Sequence, residues 1–293
     1  MRGPRALLRF LVAAGLLLAA ACKEPSARAR PLSFTPVADG VEYARFRHVP
    51  AAPGTFEGHA FRIDLESAGL RVLPAGGPSV RREVDVIARS LPHSVALNAS
   101  FFDEKDHAMG LVVDQGRVVS KGRIRKWGAL VVEQRRARVM KGSDVDLERL
   151  PDLVVQGTPR LVIDGDVPKL KPQEAQRTAV CADGRYVTFV VVTTKVDATA
   201  FARFLARDPA SGGLGCTDAL NLDGGPSTQL SARLGELSVS VPGGWGVPNA
   251  LVALPGLPEI PHPRPAPRAD AGATDAAETA PAKDGGGASA TRP

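Results

Sequence analysis

The stretch RTAVCADGRYVTFVVV, running from Arg177 to Val192, decides the fold. Thr178-Ala179-Val180 and the apolar run Val187 to Val192 flank Ala182-Asp183-Gly184-Arg185, and a glycine near the loop tip supplies the positive φ that a hairpin needs. The same design recurs where Leu111-Val112-Val113 and Val118-Val119 bracket Asp114-Gln115-Gly116-Arg117. It recurs again where Leu161-Val162-Ile163 meets Val167 across Asp164-Gly165-Asp166. These hairpins, with period-two alternation from Ala60 to Leu65, predict a mainly antiparallel sheet. Helices are few. Val80 to Leu91 places Val84, Val86, Ile87 and Leu91 on roughly one face. Asp197 to Arg207 has Asp197 as its cap and Phe201, Phe204 and Leu205 as its apolar stripe. Alternating β-α-β units are absent, which argues against a doubly wound parallel sheet. The expectation is an α+β fold, mainly antiparallel β-sheet with a few flanking helices, in a single domain over residues 35–256.

The ends of the 293-residue chain read differently. Arg2, Arg5 and Arg9 precede an unbroken apolar run from Phe10 to Ala21, followed at once by Cys22. A run of that length is too short to span a bilayer, which takes about 20 apolar residues. It resembles a bacterial lipoprotein signal. The reading is a signal peptide over 1–21, lipidation at Cys22 and a tether over 22–34. The protein is therefore expected to be an exported, membrane-anchored lipoprotein of the bacterial cell envelope, touching the membrane through its lipid alone. Residues 257–293 hold 7 Pro, 4 Gly and 10 Ala with no aromatic, a composition expected to stay disordered. The net charge of +6 comes with no block of like charges and no aromatic-interleaved basic stripe, so no nucleic-acid partner is expected. Of the three cysteines, Cys181 and Cys216 remain. In an oxidising compartment they either pair or stay as two buried thiols, and spacing leaves both open.

Two segments carry the candidate chemistry. In Val95-Ala96-Leu97-Asn98-Ala99-Ser100-Phe101-Phe102-Asp103 and in Asp218-Ala219-Leu220-Asn221-Leu222-Asp223-Gly224-Gly225-Pro226-Ser227-Thr228, an apolar strand ends at a carboxamide or carboxylate followed by small residues. Alternation puts Leu220 and Leu222 towards the core, with Asn221 and Asp223 on the other face. Gly224 and Gly225 permit a sharp turn whose amides can face an anion. The five histidines are scattered, and no zinc, phosphate-loop or dinucleotide motif is present.

The segment LNLDGGPST resembles the Asn-Leu-Asp-Gly-Gly-Gly-Ser signature of the phosphodiester glycosidase family, which includes exported bacterial relatives linked to exopolysaccharide. ALNASFFD is similar to the family's Asn-Gly-Gly-Phe-Phe-Asp. GLVVDQGRVV, VQGTPRLVIDGDV, RTAVCADGRYVTFVVV and VPNALVAL fit further family segments in the same order. The sequence departs from the pattern at Ala99-Ser100 for Gly-Gly, at Pro226 for the third Gly, and at Cys181 where Gly is usual.

The resemblance implies hydrolysis of a sugar-1-phosphodiester at the anomeric carbon, releasing free sugar and a phosphomonoester, with phosphorylated glycan of the cell envelope or its surroundings as partner. The phosphate leaves as a weak base, so the enzyme's tasks are to hold the anion, activate water or supply a nucleophile, and stabilise oxocarbenium character. Asp223 is then the base or nucleophile, and Asp103 or Glu104 a second carboxylate. Arg177 is the phosphate clamp, Asn98 and Asn221 hold sugar hydroxyls or orient Asp223, and Ser227 and Thr228 turn hydroxyls to the phosphate beside Gly224 and Gly225. The Phe102 ring stacks on a sugar face. No cofactor is required by the sequence. Asp218 is a weak metal candidate whose oxygen chemistry would suit Ca²⁺. The altered glycine turns motivate an alternative, a non-catalytic envelope protein that binds phosphorylated glycan during exopolysaccharide assembly.

Overall fold

The computed structural model describes residues 31–48 and 54–256. The expected signal peptide, the expected lipidation site Cys22 and the Pro/Ala/Gly-rich tail lie outside the described residues. In chain order the strands are β1 (Thr35–Ala38), β2 (Val41–His48), β3 (Phe56–Asp64), β4 (Ala68–Pro74), β5 (Ser94–Asn98), β6 (Gly110–Asp114), β7 (Arg117–Gly122), β8 (Gly128–Glu133) and β9 (Arg136–Lys141). They continue as β10 (Leu153–Gly157), β11 (Arg160–Val162), β12 (Glu174–Asp183), β13 (Tyr186–Asp197), β14 (Asp218–Asn221), β15 (Leu230–Leu234), β16 (Leu237–Val241) and β17 (Asn249–Pro255). The helices are α1 (Val84–Ile87) and α2 (Ala198–Ala206).

The strands form a seven-stranded sheet, β1-β2-β3-β13-β12-β14-β11, and two five-stranded sheets, β7-β6-β10-β8-β9 and β16-β15-β5-β17-β4. Every strand pairing among the described residues is antiparallel. The hairpins expected around Gly116 and Gly184 are β6–β7 and β12–β13. The third tightens to a bridge between Ile163 and Asp166, with Asp164 and Gly165 both at positive φ.

One core cluster draws on all three sheets, with Phe61, Leu97, Leu130, Val180, Phe189, Leu220 and Leu251 among its members. The outer face of the seven-stranded sheet packs on Phe201, Phe204 and Leu205 of α2. α1 covers the outer face of β5 and β17 through Val84 and Ile87. Central strands are thus buried on both sides, which explains why β5, β6 and β10 are buried along their whole length.

α2 follows its sequence signals closely. Asp197 caps it by accepting from Thr199 N at 2.9 Å and Ala200 N at 3.2 Å. The helix expected over Val80 to Leu91 is much shorter: a single α-turn at Val84–Ile87, with 3-10 geometry at Ala88–Ser90. Arg82 pairs in a β-bridge with Val247, which holds the preceding residues extended, and the Gln229 carboxamide takes the Val84 N–H at 2.9 Å. Two residues of the span read as a tether make contacts with the folded part. Leu32 donates to Pro209 O at 3.2 Å, and Leu32 and Phe34 pack on the α2 side of the sheet. There too Cys181 and Cys216 form a disulfide, with Cα atoms 5.7 Å apart.

Candidate active site

Strand ends converge on the turn that follows β14. The β12–β14 ladder pairs Ala179 with Asn221 and continues through Leu222 N to Thr178 O at 2.9 Å. That register brings Arg177 opposite Asp223. Leu220 and Leu222 are fully buried in the central core, as alternation requires, and Asp223 emerges where the strand stops. Gly224 lies against β12, where an added Cβ would come within 2.9 Å of Gln176 O. Gly225 takes φ +60°, and Gly225–Ser227 closes as a short 3-10 turn with Pro226 inside it. Proline suits the start of such a turn, where its missing N–H is not needed. Ala99 and Ser100 likewise need no positive φ. Both departures from the family's glycines are therefore accommodated locally.

The Asp223 carboxylate accepts from Gly224 N at 2.9 Å and from the Ser227 hydroxyl. Burial nevertheless dominates and raises its pKa above the ordinary carboxylate value. Its main chain is fixed from β5: Asp223 N donates to Ala99 O at 3.3 Å, and Asn98 Nδ2 donates to Asp223 O at 2.7 Å. Asn98 Oδ1 accepts from Thr178 Oγ1 at 2.8 Å and from Gln229 N at 3.0 Å. The fully buried Asn98 carboxamide thus ties β5, β12 and both ends of the turn after β14 together, and orients Asp223 through the backbone.

Asn221 donates to Thr158 O at 2.9 Å and Leu222 O at 2.7 Å, which leaves its buried Oδ1 without a hydrogen-bond partner. Thr228 Oγ1 and Arg177 Nε are also buried and unpartnered. Buried polar atoms are normally satisfied, so three such atoms around one turn mark a place where polar groups wait for a partner. The remaining Arg177 nitrogens are taken up by Gln173. Nη2 donates to Gln173 O and Nη1 reaches Gln173 Oε1 at 3.5 Å. Desolvation lowers the Arg177 pKa, and nearby Asp197 partly opposes the shift.

The other named residues have partners of their own. Asp103 belongs to a loop whose tip is exposed, and its carboxylate accepts from Lys105 N and His107 N, both at 2.9 Å. Those bonds, led by the one from His107, lower its pKa. Glu104 is exposed on the same loop. The Phe102 ring is covered by the Arg81 guanidinium, 4.7 Å from its centroid, and Arg81 pairs with Asp106 at 2.7 Å. Asp218 sits at the opposite end of β14 from Asp223, where it accepts from Asp164 N at 3.5 Å and burial raises its pKa. Among the described residues no group of three or more His, Cys, Asp or Glu side chains is placed to hold a metal ion.

Sequence reasoning missed Gln229, Asn249 and Gln156, all buried. Gln229 joins Val84 N, Trp245 O and Asn98. Asn249 bonds Ser100 through both ends of its amide. Gln156 holds Leu111 N, Ile124 N and Ile124 O. The available signal was a carboxamide at the edge of an apolar strand segment.

A family model described as phosphodiester glycosidase matches residues 93–254. No curated protein matches the chain in sequence. Among solved structures, it is similar to the catalytic domain of zebrafish N-acetylglucosamine-1-phosphodiester α-N-acetylglucosaminidase, auto-inhibited by its pro-peptide. That likeness has TM-score 0.57 and 20% identity, over 79% of this chain and 87% of that one. A hypothetical protein from Synechocystis is similar with TM-score 0.53 and 17% identity, over 78% of this chain and 64% of that one. At these identities the structural likeness establishes the fold.

Proposed function

The chain belongs to the phosphodiester glycosidase family, and on that premise we propose that it hydrolyses a sugar-1-phosphodiester at the anomeric carbon. The observation that carries this reading is Asp223, a largely desolvated carboxyl on a turn whose backbone Asn98 holds rigidly. A raised pKa suits a base working near neutrality. Water oxygen bonds to the anomeric carbon as the bond from that carbon to the phosphate oxygen breaks. The bonding pair leaves on phosphate, and the water proton passes to Asp223. Since the departing phosphomonoester is a weak base, one well-placed carboxylate suffices. Ser227 and Gly224 N hold the carboxylate in line, and Arg177, whose buried Nε has no partner in the protein, is assigned to the phosphate.

Export as a lipoprotein through Cys22, towards phosphorylated glycan of the envelope, belongs to the same proposal. The Cys181–Cys216 disulfide supports it, because such bonds persist in oxidising compartments. The test incubates the full chain with N-acetylglucosamine-1-phosphate methyl diester and a matched neutral glycoside, with and without Ca²⁺. Phosphorus NMR and reducing sugar are followed together. Phosphomonoester plus free sugar from the diester, lost in Asp223→Asn, is the expected result. Diester binding with no turnover in the folded protein would overturn it in favour of a non-catalytic glycan-binding protein.

A further inference from the structure

Outside the turn after β14, one cluster sets a hydroxyl, an imidazole and a carboxylate in series. Ser79 Oγ lies 3.0 Å from His107 Nε2, and His107 Nδ1 lies 3.4 Å from Asp103 Oδ2. Two separate segments make this cluster: Gly76-Gly77-Pro78-Ser79 after β4, and the loop from Phe102 to Ala108 between β5 and β6. The loop is closed on itself by the Phe102–Ala108 bridge and by Asp103 N, which donates to His107 O at 3.0 Å. The Arg81–Asp106 ion pair, at 2.7 Å, fastens the serine segment to it. None of these fastenings uses the Ser79 hydroxyl or the imidazole, so the contact between those two is not what joins the segments. The carboxylate is itself oriented: Oδ1 accepts from Lys105 N and His107 N, both at 2.9 Å, and Oδ2 is left to face the ring. A carboxylate only accepts, so Nδ1 carries the proton and Nε2 presents its lone pair to the Ser79 hydroxyl.

Beside this cluster lies a cavity of about 440 Å³, with His107 in its wall next to Pro74, Pro78, Ala108, Val119 and Pro248. Its size suits a small ligand, and its lining suits an apolar chain. Gly76 and Gly77 also line it, and among the described residues no acceptor takes their N–H groups, which are donors for an oxyanion. We propose that Ser79, His107 and Asp103 form a hydrolytic site of their own, with carboxylic esters of short apolar acyl groups as the substrate class. Ser79 Oγ bonds to the ester carbonyl carbon as its proton passes to His107 Nε2, and the carbonyl π pair moves onto oxygen. That pair returns as the bond to the alcohol oxygen breaks, and the alcohol leaves with the proton from His107. Water then attacks the acyl-serine along the same proton path, releasing the acid and restoring Ser79. Asp103 touches no substrate here and is a positioning residue, which keeps the His107 proton on Nδ1. This reaction is separate from the proposed diester hydrolysis.

The test treats the full chain with diisopropyl fluorophosphate and, in untreated protein, follows turnover of 4-nitrophenyl butyrate. Mass spectrometry should find the phosphoryl group on Ser79, with fluoride released. Ser79→Ala, at an exposed position, and His107→Gln should each lower kcat/KM for the ester about 100-fold. Nitrogen NMR should find the proton of the neutral His107 ring on Nδ1. In Asp103→Asn, Oδ1 keeps the two amides and Nδ2 faces the ring, so the proton should move to Nε2. A proton on Nε2 in the parent would overturn the inference, as would an unlabelled Ser79 or ester turnover that survives Ser79→Ala.

Discussion

Asp223 and Asp103 each follow an apolar strand that ends in small residues, and their surroundings set them to opposite tasks. Asp223 enters a turn closed on β12 and β5, where burial raises its pKa despite the Gly224 amide and the Ser227 hydroxyl. Asp103 enters a solvated loop, where the amides of His107 and Lys105 both donate to its Oδ1 and lower its pKa. The same residue type at a similar place in a motif becomes a desolvated carboxyl, the proposed base, in one case and a loop brace in the other. Burial and the available donors decide which.

The largest effect that sharpens this contrast is on turnover. Asp223→Asn should lower kcat about 10³-fold with the circular dichroism spectrum unchanged, the loss typical of removing a general base. Retained turnover would break the comparison at its first term. Next comes the support beneath Asp223. Asn98→Ala leaves Asp223 O, Gln229 N and Thr178 Oγ1 without their partner, and should destabilise the fold by about 3 kcal/mol in urea denaturation.

A smaller effect separates the two carboxylates by pH. The raised pKa of Asp223 means that the native state binds its proton more tightly than the unfolded state does. Asp223 therefore lowers stability as pH rises from the unfolded value, about 3.9, through the higher folded one. Asp223→Asn should accordingly stabilise the protein at neutral pH, read as a higher Tm than the parent. The gain should disappear in melts below about pH 4. Asp103 tilts the other way: its stabilising contribution is complete above about pH 3.9 and fades as pH falls through its lowered folded value. The smallest effect is on its chemistry. Asp103→Asn keeps the oxygen that accepts from Lys105 and His107, and kcat should stay within about twofold of the parent. A loss comparable to that of Asp223→Asn would place Asp103 in the reaction after all.

The sequence was most legible where local chemistry suffices. The Gly116 and Gly184 hairpins, the Asp197 cap and the alternation of Leu220 and Leu222 depend on neighbours a few residues away. It was less legible where a distant segment competes. Arg82 would have extended α1, but its pairing with Val247 holds that stretch in a strand-like path. Phe102 was read as a sugar platform, and Arg81 covers it.

By itself the sequence determined the antiparallel class, the helix with its cap, and the turn that ends in Asp223. Turn glycines, strand alternation and cap residues act through bonds spanning two to four residues, so the order of the chain is enough to state them. Only the tertiary structure decided which carboxyl is desolvated, that Asn98 reaches residues 223 and 229, that Cys181 meets Cys216, and that Trp245 is left facing water. Those outcomes depend on which far segments exclude solvent from which side chain, and such burial exists only after the three sheets have packed around a common core.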